Sequence, residues 1–582
     1  MPTSRDRSKL SKATWLSFLL VAAGAVGCSP SSPSGVVTAI RFKDEASTSG
    51  VDHLLVSGGR EKLSIVENIG TGVALLDANG DGRLDLFLAN GGRIKEGRVV
   101  PGPGIALYLQ DSAGGKFEEA SGRLGFDFDG WGTGVAVGDY DNDGDLDIFM
   151  GCWGADRLWE NRDGRFVEVG QVAGVDHDGL TTSAVFLDYD RDGKLDLYAA
   201  SYLKFDLADL PNKGEPCLEG GATVACGPGF YEPEPDRLYH NEGGGRFRLV
   251  SAESGMGKAE GGYGLGLAVD DFNLDGLPDI YVANDTTGNY LWLNQGGGRF
   301  TEGALMAGAA LSPEGQGQAG MGVAVGDCNG DGHPDIFVTN YSQEQNSLYL
   351  GIGGGEFTES SSASGFSFES YMALGWSTFF IDLDNDADDD LFVANGHVHP
   401  GAAEINSSLS YLQPCHFFLN DGKGNFQLCP PSVGNTAIEP RAHRGAAFGD
   451  IDEDGDIDIL LSVQDGPPVL LMNQVEGAGN SLLVELSGSA SNREGVGARL
   501  VGRIGPKTLT RTVGRGAGYL SSSDCRAHFG LGASGRLDTL EILWPSGKKH
   551  QLQDVKAGFL YRINEVNGEA EAVRKLKAPS SR

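Results

Sequence analysis

Apolar and polar positions recur along this chain in one fixed order. A run of small and apolar residues, such as GVAVG (134–138), GLAVD (266–270) or GAAFG (445–449), leads into an acidic nonapeptide and then a continuous apolar run such as DIFM or DIYV. A third segment follows (RLWEN, RLYHN, YLWLN or SLYLG), then a Gly-rich turn and a fourth segment led by Phe: GRFVEVG, GRFRLVS, GRFTEGA, GEFTESS. Short apolar runs bounded by turn residues predict strands, so each unit predicts a four-stranded meander. The nonapeptide counts the units: DANGDGRLD (77–85), DYDNDGDLD (139–147), DYDRDGKLD (188–196), DFNLDGLPD (271–279), DCNGDGHPD (327–335), DLDNDADDD (382–390) and DIDEDGDID (450–458). Seven sheets with small residues on the first strand, where strands crowd toward an axis, predict an all-β seven-bladed β-propeller. A linear β-solenoid is the alternative, and it does not require the number seven.

The ends of the array sharpen this. Phe-led fourth strands open at Phe42, Phe117, Phe166, Phe247, Phe300, Phe357 and Phe426, so the first precedes any acidic cluster; the seventh cluster is followed by VLLMN (469–473) and no such strand. The N-terminal strand is therefore expected to complete the last blade of a propeller over 38–475, which hides the open edges.

Oxygen side chains stand at positions 1, 3, 5 and 9 of every nonapeptide. They are Asp77, Asn79, Asp81 and Asp85; Asp139, Asp141, Asp143 and Asp147; Asp188, Asp190, Asp192 and Asp196; Asp271, Asn273, Asp275 and Asp279; Asp327, Asn329, Asp331 and Asp335; Asp382, Asp384, Asp386 and Asp390; Asp450, Asp452, Asp454 and Asp458. Bare carboxylates this close raise one another's pKa, so a cation is expected among them. Hard oxygens at alternate positions of a tight turn, with a backbone carbonyl at position 7, suit Ca²⁺ better than Mg²⁺, and up to seven ions are expected. The alternative is a set of Asp-rich turns with no metal. Position 12, where an EF-hand needs Glu, holds Leu88, Met150 or Val282, so the loops are not EF-hands. Position 2 is mostly apolar (Tyr140, Tyr189, Phe272, Cys328, Leu383, Ile451) and is expected to turn into the blade. Gly at position 6 permits a left-handed backbone. The sixth copy has Ala387 there, at a cost of ~1–2 kcal/mol, so its site is expected to be weaker.

Charge and length narrow the functional classes. A net charge of −35 over 582 residues, with no basic stripe, argues against a nucleic-acid partner. The first 28 residues carry Arg5, Arg7, Lys9 and Lys12, then the apolar run Trp15 to Val26, then Gly27 and Cys28, the layout of a signal peptide. AVGC resembles a bacterial lipobox, which implies that Cys28 is a lipid anchor, residues 29–37 a flexible linker and the cell envelope or outer-membrane surface the destination; a plain secretory signal is the alternative. Export permits disulfides. Cys217 and Cys226 share one loop, and Cys415 and Cys429 flank the hairpin HFFLNDGKGNFQL, so both pairs are expected bridges; Cys152, Cys328 and Cys525 read as buried thiols.

The seven in-phase loops resemble the FG-GAP/VCBS repeats of integrin-α-type propellers. Residues 480–566 resemble the ASPIC/UnbV domain through NREGVGARL (492–500), GYLSSSDCRAHFGLG (518–532) and LWPSG (543–547). The combination resembles the cartilage acidic protein family, which implies calcium binding and an extracellular place. The runs SLLVELS, ARLVGRIG and DTLEILW fit a small β-sandwich-like domain; Ser521–Ser523 has no base motif beside it and reads as structural, and the polar tail 567–582 is expected to be disordered.

Loops of a meander alternate faces, so the acidic strand 1–2 loops lie opposite the strand 2–3 loops. All three large insertions, 91–106, 201–236 and 396–414, fall in the second class, and binding or adhesion to an extracellular protein or glycan is expected there. An enzyme acting on extracellular polysaccharide is the alternative, because NGHVHP and RAHRG place His397, His399, His443 and Arg444 on that same face for general acid–base chemistry. Neither a Gly-x-Ser-x-Gly elbow nor a His-Glu-x-x-His helix accompanies them.

Overall fold

The computed structural model describes residues 40–577 apart from 112–114, 259–260, 430–438 and 476; the signal segment, Cys28 and the 29–37 linker lie outside the described residues. Each repeat folds as an antiparallel meander. The first comprises Val73–Leu76, Asp85–Leu88, Ala106–Gln110 and Phe117–Glu119. Five more begin at Trp131, Asp178, Gly264, Val323 and Gly375. The last takes His443–Gly449, Asp458–Val463 and Val469–Asn473, and its outer strand is Phe42–Asp44, with Phe42 opposite Asn473. Each first strand packs on the next, and His443–Gly449 packs on Val73–Leu76, so the sheets close into a β-propeller.

Small residues on the first strands have a steric reason. A Cβ on Gly134 would lie 1.9 Å from the Thr182 carbonyl oxygen of the following blade, and one on Gly322 would lie 2.1 Å from that of Trp376. Farther out, apolar side chains fill the wedges between sheets: Phe87, Phe126, Trp159 and Phe166 form one cluster. Phe42 is fully buried and stacks on Phe417 of the neighbouring blade at 5.0 Å, which locks the N-terminal strand in place.

The C-terminal domain is a sandwich of two four-stranded sheets. One orders Ala527–Gly532, Asn480–Ser487, Phe559–Asn564 and Ala570–Lys575; the other orders Lys507–Thr512, Arg499–Ile504, Arg536–Leu543 and Lys549–Lys556. Leu482, Leu500, Phe529, Ile542 and Trp544 meet between them. Between Thr512 and Ala527 the chain leaves the sandwich and enters the propeller's central channel. Gly516 and Gly518 exchange backbone hydrogen bonds with Val269 and Val323, Leu520 with Val135, Ser522 with Val73 and Leu75, and Asp524 with Phe448. The hydroxyls of Ser183 and Ser377 accept the N–H groups of Leu520 and Tyr519. Residues 515–524 thus bond to first strands all around the ring and plug it.

Two expectations are corrected. Residues 567–577 are not a disordered tail: Ala570–Lys575 extends the sheet beside Phe559–Asn564, Arg574 pairs with Glu453, and the Lys577 N–H donates to the Glu453 carbonyl at 2.7 Å. AEAVRK has only a weak apolar pattern, and edge pairing recruits it together with the packing of Val573 and Leu576 on Leu483 and Leu560. Cys415 and Cys429 are not bridged and remain thiols. The hairpin register sets Phe418 against Leu428, and the Cys429 N–H donates to the Phe417 carbonyl, so Cys429 stands level with Phe417, two residues short of Cys415. The Cys217–Cys226 disulfide is present, with Cα atoms 5.0 Å apart, and Cys152 and Cys328 are buried thiols.

Phe42→Ala removes the ring that wedges the closing strand. It should cost about 3–5 kcal/mol in urea unfolding; an unchanged midpoint would show that the strand does not hold the ring shut.

Candidate metal loops and the opposite face

In loop one the Asp77 carboxylate accepts the N–H of Asp81 at 3.0 Å and of Gly82 at 2.7 Å, Asn79 Oδ1 accepts Asp81 N–H at 3.0 Å, and Asp81 accepts Arg83 N–H at 2.9 Å. Side-chain oxygens therefore tie the turn and face one another. Position 6 has φ between 74° and 105° in every loop, as expected, and position 4 is left-handed too, with φ of 58–74° from Gly80 to Glu453. Ala387 joins them at φ 74°, its N–H on Asp382 Oδ2 at 2.8 Å, so the sixth turn keeps the shape of the others. Its methyl is buried against the C-terminal sandwich core, which offsets the backbone strain.

The position 9 carboxylates are hubs. Asp85, Asp147, Asp196, Asp279, Asp335, Asp390 and Asp458 are at most 1 % exposed. Each Oδ2 accepts the position 2 N–H at 2.9–3.2 Å. Each Oδ1 accepts an N–H from the end of the third strand at 2.7–2.9 Å. The position 2 side chains turn inward, as expected. A further set was legible but unread: the Asn closing the third strand (Asn161, Asn241, Asn294, Asn420, Asn473) donates to the position 2 carbonyl of the preceding blade, and Gln110 does the same to Ile451 across the closure. Its signal was RLWEN, RLYHN and YLWLN, recurring in phase with the loops.

The donor set fits a cation on two observations. Carboxylate oxygens of Asp139, Asp141 and Asp147, of Asp188, Asp190 and Asp192, of Asp382, Asp384 and Asp390, and of Asp450, Asp452 and Asp458 gather within 4.8 Å of one another. Asp188 Oδ1 and Asp327 Oδ1 are buried and accept no hydrogen bond among the described residues. The other three loops carry Asn79, Asn273 or Asn329 at position 3. Loop three also has His240, whose Nδ1 lies 3.2 Å from Asp196 Oδ1 and 3.5 Å from Asp190 Oδ2. Burial pushes the position 9 acids up, Asp85 and Asp335 to about 7, Asp279 to about 8, Asp147 and Asp196 to about 9. The C-terminal sandwich covers this face: Arg511 forks onto Asp389 at 2.6 and 2.8 Å, Lys507 meets Asp388 at 2.7 Å, Arg499 donates to the Gly332 carbonyl at 2.8 Å, and His528 lies 3.1 Å from that of Gly455.

A family model described as FG-GAP-like repeat matches residues 77–150, 143–199, 271–338 and 327–393, and one described as ASPIC and UnbV matches 488–570. The chain carries FG-GAP repeats and an ASPIC and UnbV domain. It is similar to cartilage acidic protein 1 of Homo sapiens, 28% identical over 342 residues (58% of this chain, 48% of the relative), and of Mus musculus, 29% over 324 residues (54% and 47%). The chain thus spans about half the length of the curated relatives it matches. Among solved structures, YCF48 bound to a D1 peptide aligns with 75% of this chain and 99% of its own at TM-score 0.39 and 8% identity; an Agrocybe aegerita lectin aligns with 68% and 86% at 0.37 and 15%. The seventh acidic loop, 450–458, lies outside the matched FG-GAP segments.

On the opposite face the three insertions of this FG-GAP propeller take shape. The first holds the hairpin Gly92–Lys95/Arg98–Pro101, the second the disulfide hairpin Cys217–Glu219/Ala222–Val224, and the third the short helix Ala402–Ile405, which touches Ala222–Val224. His397, His399, His443 and Arg444 do come together, but inside the protein. His397 is fully buried, 3.1 Å from Ser342 Oγ, and its Nδ1 accepts the His399 N–H; His443 Nδ1 is 3.0 Å from the Asn395 carbonyl. Arg444 donates to the carbonyls of Asn68, Gly396, His443 and His397 and stacks 4.1 Å over Trp376, a staple between loops. Burial pushes His397 down to about 3 and His399 and His443 to about 4, so all three are neutral near pH 7.

Raised acids give the loops a pH signature. Their folded values lie above the ordinary 3.8, so the stability they contribute in chelator is present below pH 3.8 and is lost as pH rises through about 7 to 9. Calorimetry in chelator should therefore show Tm falling between about pH 5 and 9, and saturating Ca²⁺ should remove that fall. A chelated protein with a flat or rising Tm would contradict buried, uncompensated loops.

Proposed function

We propose that this is a calcium-loaded, exported propeller that works as a binding or adhesion module for an extracellular protein or glycan, held to the membrane through lipid on Cys28. The acidic loops take up to seven Ca²⁺, each between the position 1, 3, 5 and 9 side chains. Ions and sandwich rigidify one face and leave the other to the partner. Support for export comes from the signal-like N-terminus and from the Cys217–Cys226 disulfide, which suits an oxidising compartment. No helix among the described residues is long and apolar enough to cross a membrane.

One observation carries the binding reading: the insertions hold large apolar side chains out in solvent. Val99 and Val100 stand on the first, Leu218 and Phe230 on the second and Leu412 on the third, with Leu218 74% and Phe230 60% exposed. Apolar groups displayed on long loops of a rigid scaffold mark interaction surfaces. The polysaccharide-cleaving alternative would draw on His397, His443 and Arg444, whose hydrogen bonds are already committed to neighbouring loops.

Calorimetric titration of the chelated protein should give up to seven Ca²⁺, with one event set apart: loop six, where Asp382, Asp384 and Asp390 are all buried beneath the sandwich. Seven indistinguishable events would refute that distinction. In a screen of extracellular proteins and glycans, Leu218→Glu with Phe230→Glu should weaken the captured ligand by roughly tenfold or more while the calcium count stays the same. Retained capture would move the working surface elsewhere.

A further inference from the structure

At the channel mouth opposite the acidic loops lies a cavity of about 400 Å³. Its floor is the tip of the plug: Tyr519, whose ring packs on Trp376 at 4.9 Å, beside Met321 and Leu265. Its roof is the disulfide hairpin of the third blade, which reaches the sixth-blade insertion; a Cβ on Gly220 would stand 3.1 Å from Ile405. Floor and roof thus come from the sandwich domain and from an insertion, so the space exists only in the assembled chain.

The chemistry of the lining is one-sided. Glu219, Asp285 and Glu344 border the cavity, and among the described residues no lysine or arginine does. Three of the four aromatic donors are already committed: Tyr202 OH to Asp285 Oδ2 at 2.5 Å, Trp376 Nε1 to the Gly396 carbonyl at 2.7 Å, Tyr519 OH to the Ile69 carbonyl at 3.1 Å. Beside the Tyr341 hydroxyl, acceptors stay open. Asp285 Oδ1 accepts no hydrogen bond among the described residues, and Asn68 Oδ1, in a side chain only 6 % exposed, also has no partner there. Asn68 precedes the first blade and Asp285 follows the second strand of the fourth, so the two stand on different sides of the ring. His399, also on the wall, is neutral near pH 7. Burial and the Glu344 charge push Asp285 up to about 6, with no basic partner to bring it down.

We propose that this cavity binds a small organic ammonium ion, its cationic head between Asp285 and Glu344 against the rings of Tyr202 and Tyr341, its apolar body on Met321 and Tyr519. A primary ammonium brings three N–H donors and no acceptor, which matches the open acceptors. Aromatic faces beside carboxylates attract such a head further through their ring quadrupoles. Asn68 Oδ1 leaves room for a second donor, such as a hydroxyl, at the other end of the ligand. The proposal rests on the insertion face being the ligand-binding one and adds the ligand's charge and size.

Three probes separate the possibilities on the calcium-loaded full chain: tyramine, para-ethylphenol, which lacks the amine, and the analogue in which a propanoate replaces the aminoethyl arm. Intrinsic tryptophan fluorescence and calorimetry should show tyramine binding at least about tenfold tighter than para-ethylphenol and the propanoate not at all, as expected for one charge-assisted contact. Asp285→Asn and Glu344→Gln, each first checked for an unchanged Tm in calcium, should lower tyramine affinity roughly tenfold and leave para-ethylphenol unaffected. Equal binding of amine and phenol, tyramine binding that survives both substitutions, or no binding of any probe overturns the ammonium assignment. The wider reading of the face falls separately, on capture that survives Leu218→Glu with Phe230→Glu.

Discussion

A buried aspartate at the end of each acidic loop holds this protein together. In Asp147 and its six counterparts one oxygen fixes the turn through the position 2 amide and the other fixes the third strand, so loop and blade are set by a single side chain. A carboxylate retains lone pairs after two such bonds and can still face an ion. Burial makes its charge costly, and a cation in the loop would offset that cost. The Asn and Gln side chains then carry the constraint from every blade but the fifth, where Gly351 stands instead, to the loop of the one before, including across the closure from Gln110 to Ile451. The ring is a chain of loops holding blades and blades holding loops.

The second organising element is the plug. A propeller channel lined by first strands presents backbone groups and small residues with no partners of their own. Residues 515–524 satisfy them, and the serine hydroxyls of Ser521, Ser522 and Ser523 accept the amides of Val73, Val137 and Phe448. The same segment delivers Tyr519 to the far mouth. The sandwich is therefore joined to both faces, to the acidic loops by Arg499, Arg511 and Arg574 and to the opposite cavity by the tip of the plug.

Repetition decides what can be read from residues alone. Meander order, the borrowed strand at Phe42–Asp44 and the oxygen positions of the loops were legible because each recurs in phase and a single misreading would break the pattern. Position 4 of the loops was not: Gly, Asn, Arg, Leu and Glu all adopt left-handed backbone there, and the side-chain oxygens around them enforce it. The plug was hidden because GYLSSSD works through backbone groups and hydroxyls that look like any turn. Cys415 and Cys429 misled because hairpin symmetry in the sequence does not fix register, and the polar strand Ala570–Lys575 was invisible because its apolar pattern is weak. The histidines of the far face were placed correctly in space; only their burial could show that they act as struts.

The pairing of Phe42–Asp44 with Val469–Asn473 also has a cost in time. Its partners stand almost a full propeller apart along the chain, and the plug arrives later still, so the contacts that close the ring are among the most non-local a chain of this size can make. Such contact order slows folding and leaves strand edges exposed meanwhile. A chain made from its N-terminus must keep its first strand unpaired until the last blade is complete, which makes the unfinished ring, rather than the finished one, the state most vulnerable to aggregation.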